Sequence, residues 1–228
     1  MQKSFGFFGA VAAVMLSGSS HGQTDPMQPS LVGGGASDEH GLQLGLRAGY
    51  GVPLGSAANN ATGGGSLNQS DLIKGMIPLW ADVGYRFNPN WYLGGFFQFG
   101  IGFAPSNCND CTLNDLRFGI NIHYHLMPSE TFDPWIGIGG GYEITNFSQG
   151  PASGNFKGFE FGNAQLGLDF KVAPTFSVGP FVAFTIAQYS DASVSIPGFP
   201  SQGTSITNKA IHEWLAFGLR GAFNLNLD

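Results

Sequence analysis

Residues 115–126 read Asp-Leu-Arg-Phe-Gly-Ile-Asn-Ile-His-Tyr-His-Leu. Leu116, Phe118, Ile120, Ile122, Tyr124 and Leu126 alternate strictly with Asp115, Arg117, Gly119, Asn121, His123 and His125. Successive side chains of an extended chain point to opposite sides, so a period of two means a strand with one apolar and one wet face. The pattern recurs along the chain with turn residues between, and it leaves open which face points inward.

Eight such strands are expected: Gly41 to Leu54, Lys74 to Phe87, Trp91 to Ala104, Thr112 to Leu126, Pro134 to Phe147, Gly158 to Val172, Phe176 to Tyr189 and Ala210 to Leu227. At about 12 to 18 residues they exceed the five or six usual in soluble proteins and suffice for tilted strands that cross a bilayer and extend beyond it. The connections Phe87 to Trp91, Met127 to Asp133 and Ala173 to Thr175 are short and carry Pro. Gly55 to Ile73, Pro105 to Cys111, Ser148 to Lys157 and Ser190 to Lys209 are mostly longer and rich in Gly, Ser and Asn. Such alternation predicts an up-and-down order with tight turns on the periplasmic side and loose loops outside. A β-sandwich would mix connection lengths, and βαβ units would need amphipathic helices that the sequence lacks.

Composition sets the class. Apolar residues reach 43%, which argues against disorder, yet no apolar run is long enough to cross a bilayer as a helix. Membrane crossing would have to be by strands. A net charge of -6 with only nine Lys and Arg, none in a basic run, argues against a nucleic-acid partner. Residues 1–22 have a basic start at Lys3, an apolar stretch from Phe5 to Leu16 and a small, polar exit from Ser17 to Gly22, as in a secretory signal peptide. Residues 23–40, rich in Gly, Pro, Ser and Asp, read as a flexible periplasmic leader, and residues 41–228 as the barrel.

One face of every strand, for example Leu42, Leu44, Leu46, Ala48, Tyr50 and Val52, is free of charge. The other holds Arg47, Asp82, Arg86, Asp115, Arg117, Glu143, Asp169, Lys171 and Arg220 among many glycines. Two features turn the charged face inward. It is poor in the Lys and Glu that cover soluble surfaces, and Trp91, Tyr124, Tyr142 and Tyr50 lie toward the ends of the apolar stripes, where interfacial aromatic girdles belong. The expected fold is therefore all-β: an eight-stranded antiparallel up-and-down transmembrane β-barrel. Its narrow lumen is filled by side chains, with five bases and four acids in an ionic network and glycines such as Gly49 and Gly218 making room.

Pro134-Trp135-Ile136-Gly137-Ile138-Gly139-Gly140-Gly141-Tyr142 and Val178-Gly179-Pro180-Phe181 are similar to Gly-rich aromatic strands of known barrels. With the signal peptide, the eight long amphipathic strands and the alternating short and long connections, the chain from Gly41 onward resembles the small OmpA/OmpW-type outer-membrane β-barrel proteins. The resemblance implies a place in the outer membrane of a Gram-negative-type envelope, with outer-membrane lipid and the assembly machinery as partners. Such barrels often end in an aromatic residue read by that machinery. Here the end is Phe223-Asn224-Leu225-Asn226-Leu227-Asp228, so a weaker assembly signal is expected. The peptidoglycan-binding domain of OmpA is not implied, because the sequence stops at the eighth strand.

Cys108-Asn109-Asp110-Cys111 falls in an outer loop. Redox or metal use of Cys-x-x-Cys needs a thioredoxin-like βα context or a second ligand pair, and a small loop-pinning disulfide of Cys108 with Cys111 is expected instead. His123 and His125 share one strand face and, with Glu143, raise an acid-base or metal reading. Interior packing is preferred for them, so no catalytic residue, metal or cofactor is expected. The inward ions form either a static plug or a narrow polar path, and an almost filled lumen favours the plug. Function is then structural, or a matter of surface recognition through the outer loops, especially Gly55 to Ile73 and Ser190 to Lys209. The alternatives are a narrow passive OmpW-like channel for small solutes lined by Trp80, Phe96, Trp135, Phe181 and Trp214, and a soluble secreted ligand-binding barrel.

Overall fold

The computed structural model describes residues 40–226, apart from 62–64, 107 and 109. The signal peptide expected over 1–22, and the leader up to residue 39, lie outside the described residues. In chain order the elements are β1 (Gly41–Ala61), β2 (Gly65–Asn68), α1 (Gln69–Leu72), β3 (Gly75–Arg86), β4 (Trp91–Phe103), β5 (Cys111–His125), β6 (Phe132–Gln149), β7 (Ala152–Ala173), β8 (Phe176–Ser195), β9 (Gln202–Ser205) and β10 (Ile211–Asn226).

Eight long strands pair antiparallel in the order β1-β3-β4-β5-β6-β7-β8-β10, and β10 returns to β1. The ring has no edge. Every barrel strand finds its backbone partners on two sides, the condition for a β-structure in lipid. The closing seam runs without a register break from Gly41 opposite Asn226 to Gly55 opposite His212.

Side-chain exposure is inverted relative to a soluble barrel. Ile138 is 66% exposed and Ile120 65%, whereas Asp115 and Glu143 are fully buried. A soluble ligand-binding barrel would need the reverse, an apolar interior and a wet surface, so that alternative falls. Rings cluster toward both rims of the apolar belt. Near the short turns Trp91 packs on Tyr124 at 4.8 Å and Phe176 on Phe223 at 4.4 Å; toward the outer end Tyr50 stacks on Phe103 at 6.1 Å and Tyr142 meets Phe159 at 5.2 Å. These are the girdles expected at two membrane interfaces.

The inner turns match the sequence reading and the outer connections are more ordered than it implies. The expected loop from Ser148 to Lys157 is mostly strand, β6 and β7 continuing outward as a hairpin that turns at Gly150 and Pro151. Gly55 to Ile73 contains the end of β1, β2 and α1, and Ser190 to Lys209 contains the end of β8 and β9. Asp133, assigned to a turn by its sequence, is the second residue of β6 and is buried.

β7 carries a bulge. Glu160 and Asn163 oppose Gly141 and Gly139 of β6, so two residues, Phe161 and Gly162, stand against Gly140 alone. Strict alternation from the lipid-facing Ala164 back along β7 would put Glu160 in lipid. The extra residue reverses the parity, and Glu160 is 4% exposed while Phe161 is 62% exposed.

Candidate functional site

The lumen holds two ionic groups separated by aromatic packing. In the inner half, Arg47 donates from Nε to Asp82 Oδ2 at 2.8 Å, from Nη2 to Asp82 Oδ1 at 3.0 Å, and from Nη1 to Gln165 Oε1 at 2.7 Å. Asn121 donates to the same carboxylate at 2.8 Å. Arg220 pairs with Asp169, which also accepts from Trp135 Nε1 at 3.1 Å. Nearer the inner mouth Arg86 lies 3.7 Å from Asp133, and His125 Nδ1 lies 2.7 Å from the same Asp133 oxygen. Bidentate and shared geometry of this kind offsets the loss of hydration that these three buried guanidinium groups would otherwise suffer.

Across the middle, Trp80, Phe96, Trp135, Phe181, Ala183 and Ala216 form one buried cluster. The Arg47 guanidinium stands over Trp80 at 4.6 Å and that of Arg220 over Trp135 at 4.8 Å. Four of the five aromatics expected to line a path are thus packed in one cluster, and Trp214, the fifth, lies under the Arg117 guanidinium at 5.0 Å.

Glu143 organises the outer half. It accepts from Arg117 Nη2 at 3.1 Å, Trp214 Nε1 at 3.1 Å and the Tyr189 hydroxyl at 3.3 Å, and His212 Nε2 lies 2.9 Å from its second oxygen. Arg117 Nε also holds Asp115 at 2.8 Å, and Thr145 donates to Asp115 at 2.8 Å. Above this group the first outer loop enters the mouth: Gln69 of α1 donates to the Tyr189 hydroxyl at 2.9 Å, and Ile73 and Met76 pack on Leu113 and Trp214. A pocket of about 400 Å³ opens outward beside it, walled mainly by Leu72, Pro105, Leu113, Phe147 and Phe156, with Thr145 among its polar residues. Cys108 and Cys111 are joined in a disulfide on its rim.

Eight of the nine ionic residues singled out in the sequence are buried. Lys171 is half-buried at the inner mouth and donates to the Pro128 carbonyl. His123, His125 and Glu143 are not brought together. His123 pairs with Gly137 and Arg117 with Glu143, six residues further along β5, about 20 Å for an extended chain. The His123 ring lies between Tyr92 at 4.9 Å and Trp135 at 4.7 Å. Asp133, Glu160, Tyr189, His212 and Gln69 are buried as well and are among the lumen residues that the sequence reading does not single out. Tyr189 and His212 had the inward parity of their strands as a signal; Glu160 was hidden by the bulge and Gln69 by its place in a loop.

No family model matches the sequence, and no curated protein does. Among solved structures, the outer membrane protein OprG from Pseudomonas aeruginosa superposes with a TM-score of 0.50 at 14% identity, over 81% of this chain and 97% of that one. The fold is that of a small outer-membrane β-barrel. Neisserial surface protein A gives a TM-score of 0.49 at 9% identity, over 82% of this chain and 98% of its own. AlkL, solved in lipid bilayers, gives 0.49 at 14% identity, over 89% and 99%. The outer-membrane barrel described here is a fold shared with OprG at only 14% sequence identity.

Proposed function

We propose that this outer-membrane barrel is non-enzymatic and works at its outer face, with a lumen closed by its own side chains. The observation that supports this is the group around Glu143. Four side chains from β5, β8 and β10 converge on one buried carboxylate, and Gln69 closes the mouth over Tyr189. Polar groups that bind one another in this way are not offered to a passing solute. The exterior partner is outer-membrane lipid, and insertion is assigned to the assembly machinery. Purified protein in planar lipid bilayers is expected to show no stable openings; stable single-channel steps would overturn the closed lumen.

A second reading has one observation in its favour. The apolar pocket of about 400 Å³ at the outer mouth suits a small apolar solute entering from outside, as an OmpW-like passive route would require. Uptake of such a solute into liposomes separates the two: accumulation above protein-free liposomes favours passage, and its absence favours the closed barrel.

A further inference from the structure

On the outward face of the barrel, four neighbouring strands continue beyond the lipid-facing rings, and their side chains fall in rows. Directly opposed residues of an antiparallel pair share a face, so register alone defines the rows. Across β5, β6, β7 and β8 the lowest is Phe118, Tyr142, Phe159 and Gln188, and the next Leu116, Ile144, Lys157 and Asp191. Above them come Asn114, Asn146, Asn155 and Ser193, and last Thr112, Ser148, Ser153 and Ser195. The surface changes from three rings beside Gln188, through one mixed aliphatic and charged row, to mainly amide and then hydroxyl.

The amide row is partly ordered from within. Asn146 Nδ2 donates to Asn114 Oδ1 at 2.9 Å, which leaves the acceptor of one amide and the donor of the other for a further partner. A groove of about 360 Å³ lies over the two polar rows, with Thr112, Asn114, Asn146, Ser148, Asn155 and Ser193 among its walls. The mixed row adds no net charge, since Lys157 and Asp191 oppose each other. Hydrogen bonds from Ser190 at 2.6 Å and then Ser205 at 3.2 Å hold the Asp191 carboxyl below the usual carboxylate range.

We infer that this wall binds the uncharged sugar units of a glycolipid lying in the same leaflet. Dense amides and hydroxyls with no net charge suit a hydroxyl-rich ligand; a phosphate would call for unopposed Arg or Lys. The position selects the lipid-linked source. Asn114 borders the lipid-facing Ile101 of β4, and strands of a closed barrel tilt, so the rows climb away from the bilayer toward Ser153 and Ser195. The polar wall is continuous with the lipid-facing wall below it, and a ligand whose acyl chains lie against Leu116 and Phe118 would present its sugars to the amide row. Four strands and two rows span about 14 Å by 7 Å, room for two or three sugar rings.

This inference rests on the reading that the protein acts at its outer face. The test places the full chain in phosphatidylcholine vesicles containing lipopolysaccharide with intact core sugars, lipid A lacking those sugars, or free core oligosaccharide. Amide hydrogen exchange over 112–114, 146–148 and 153–155 is read together with the lipid retained after detergent extraction. Slower exchange and retention are expected with lipopolysaccharide and not with lipid A. Replacing Asn114, Asn146 and Asn155 by Val should lower retention about tenfold, while unboiled gel mobility shows the barrel still folded; Asn146→Val alone serves if the triple variant does not fold. Equal retention of lipid A, or undiminished retention by the folded variant, overturns the site. Equal protection by free oligosaccharide overturns the leaflet as its source. Bilayer conductance is read separately, so an open lumen is distinguishable from a wall that binds no sugar.

Discussion

Arg47 and Arg220 face each other in register across the closing seam between β1 and β10, two like charges on the inner side of one strand pair. Each is drawn to its own acid on a different strand, Arg47 to Asp82 of β3 and Arg220 to Asp169 of β7. The seam that closes the barrel is therefore tied to strands on both of its sides. Trp135 lies beneath both guanidinium groups, at 5.4 Å from Arg47 and 4.8 Å from Arg220.

Removing either acid strands a buried cation beside another. Asp82→Ala and Asp169→Ala are each expected to destabilise the folded barrel by about 3–5 kcal/mol, as when one partner of a buried pair is lost. Urea unfolding in detergent micelles, followed by tryptophan fluorescence, measures it. A midpoint unchanged in both variants would show that the pairs contribute nothing.

The bulge in β7 makes one deletion special. Without Phe161, residues 159, 160, 162 and 163 alternate out, in, out and in, so both halves of the strand keep their facing and both neighbours their register. Deleting Leu166 lacks that escape: either Asp169 turns toward lipid or, even with the bulge absorbed, Asn163 and Gln165 do, and polar side chains are penalised there. The Phe161 deletion should fold, with the mobility shift of an unboiled barrel, and the Leu166 deletion should not. Equal folding of the two would remove the bulge as the cause of the inward Glu160.

Close approach of β1 and β10 depends on a facing pair of glycines. A Cβ on Gly49 would sit 2.1 Å from the Phe217 carbonyl oxygen, and one on Gly218 2.1 Å from that of Ala48. Gly49→Ala should cost about 1–3 kcal/mol through forced backbone displacement. Gly95, where a Cβ meets nothing nearer than the Gly119 oxygen at 3.6 Å, is the control, and Gly95→Ala should leave the urea midpoint within error.

The Cys108–Cys111 disulfide spans only two intervening residues on the rim of the outer pocket. Alkylation under denaturing conditions without reductant should leave both residues unmodified, and reductant should expose two thiols by mass. Ready labelling before reduction would refute the bond.

How far the sequence reached is visible in single positions. Arg117 and Glu143 could be placed in the lumen because each lies in an unbroken alternation whose other face is wholly apolar, and they meet at 3.1 Å. Glu160 could not, because one extra residue in β7 inverts parity and nothing local announces it. Asp133 was read as a turn residue because Pro, Ser and Glu precede it, although it accepts from the Met127 backbone and meets His125. Gln69 is polar and sits in a loop, and its burial depends on that loop folding back over Tyr189.

By itself the sequence determined the strands and which of their faces meets lipid, because a period of two is local and the bilayer accepts only an apolar surface. The tertiary structure alone decided which acid serves which base and how the outer mouth is closed. It also decided where a polar wall rises beside the membrane. Those depend on register across eight strands and on bulges in β7 and β8, set by closure of the whole ring rather than by any one strand.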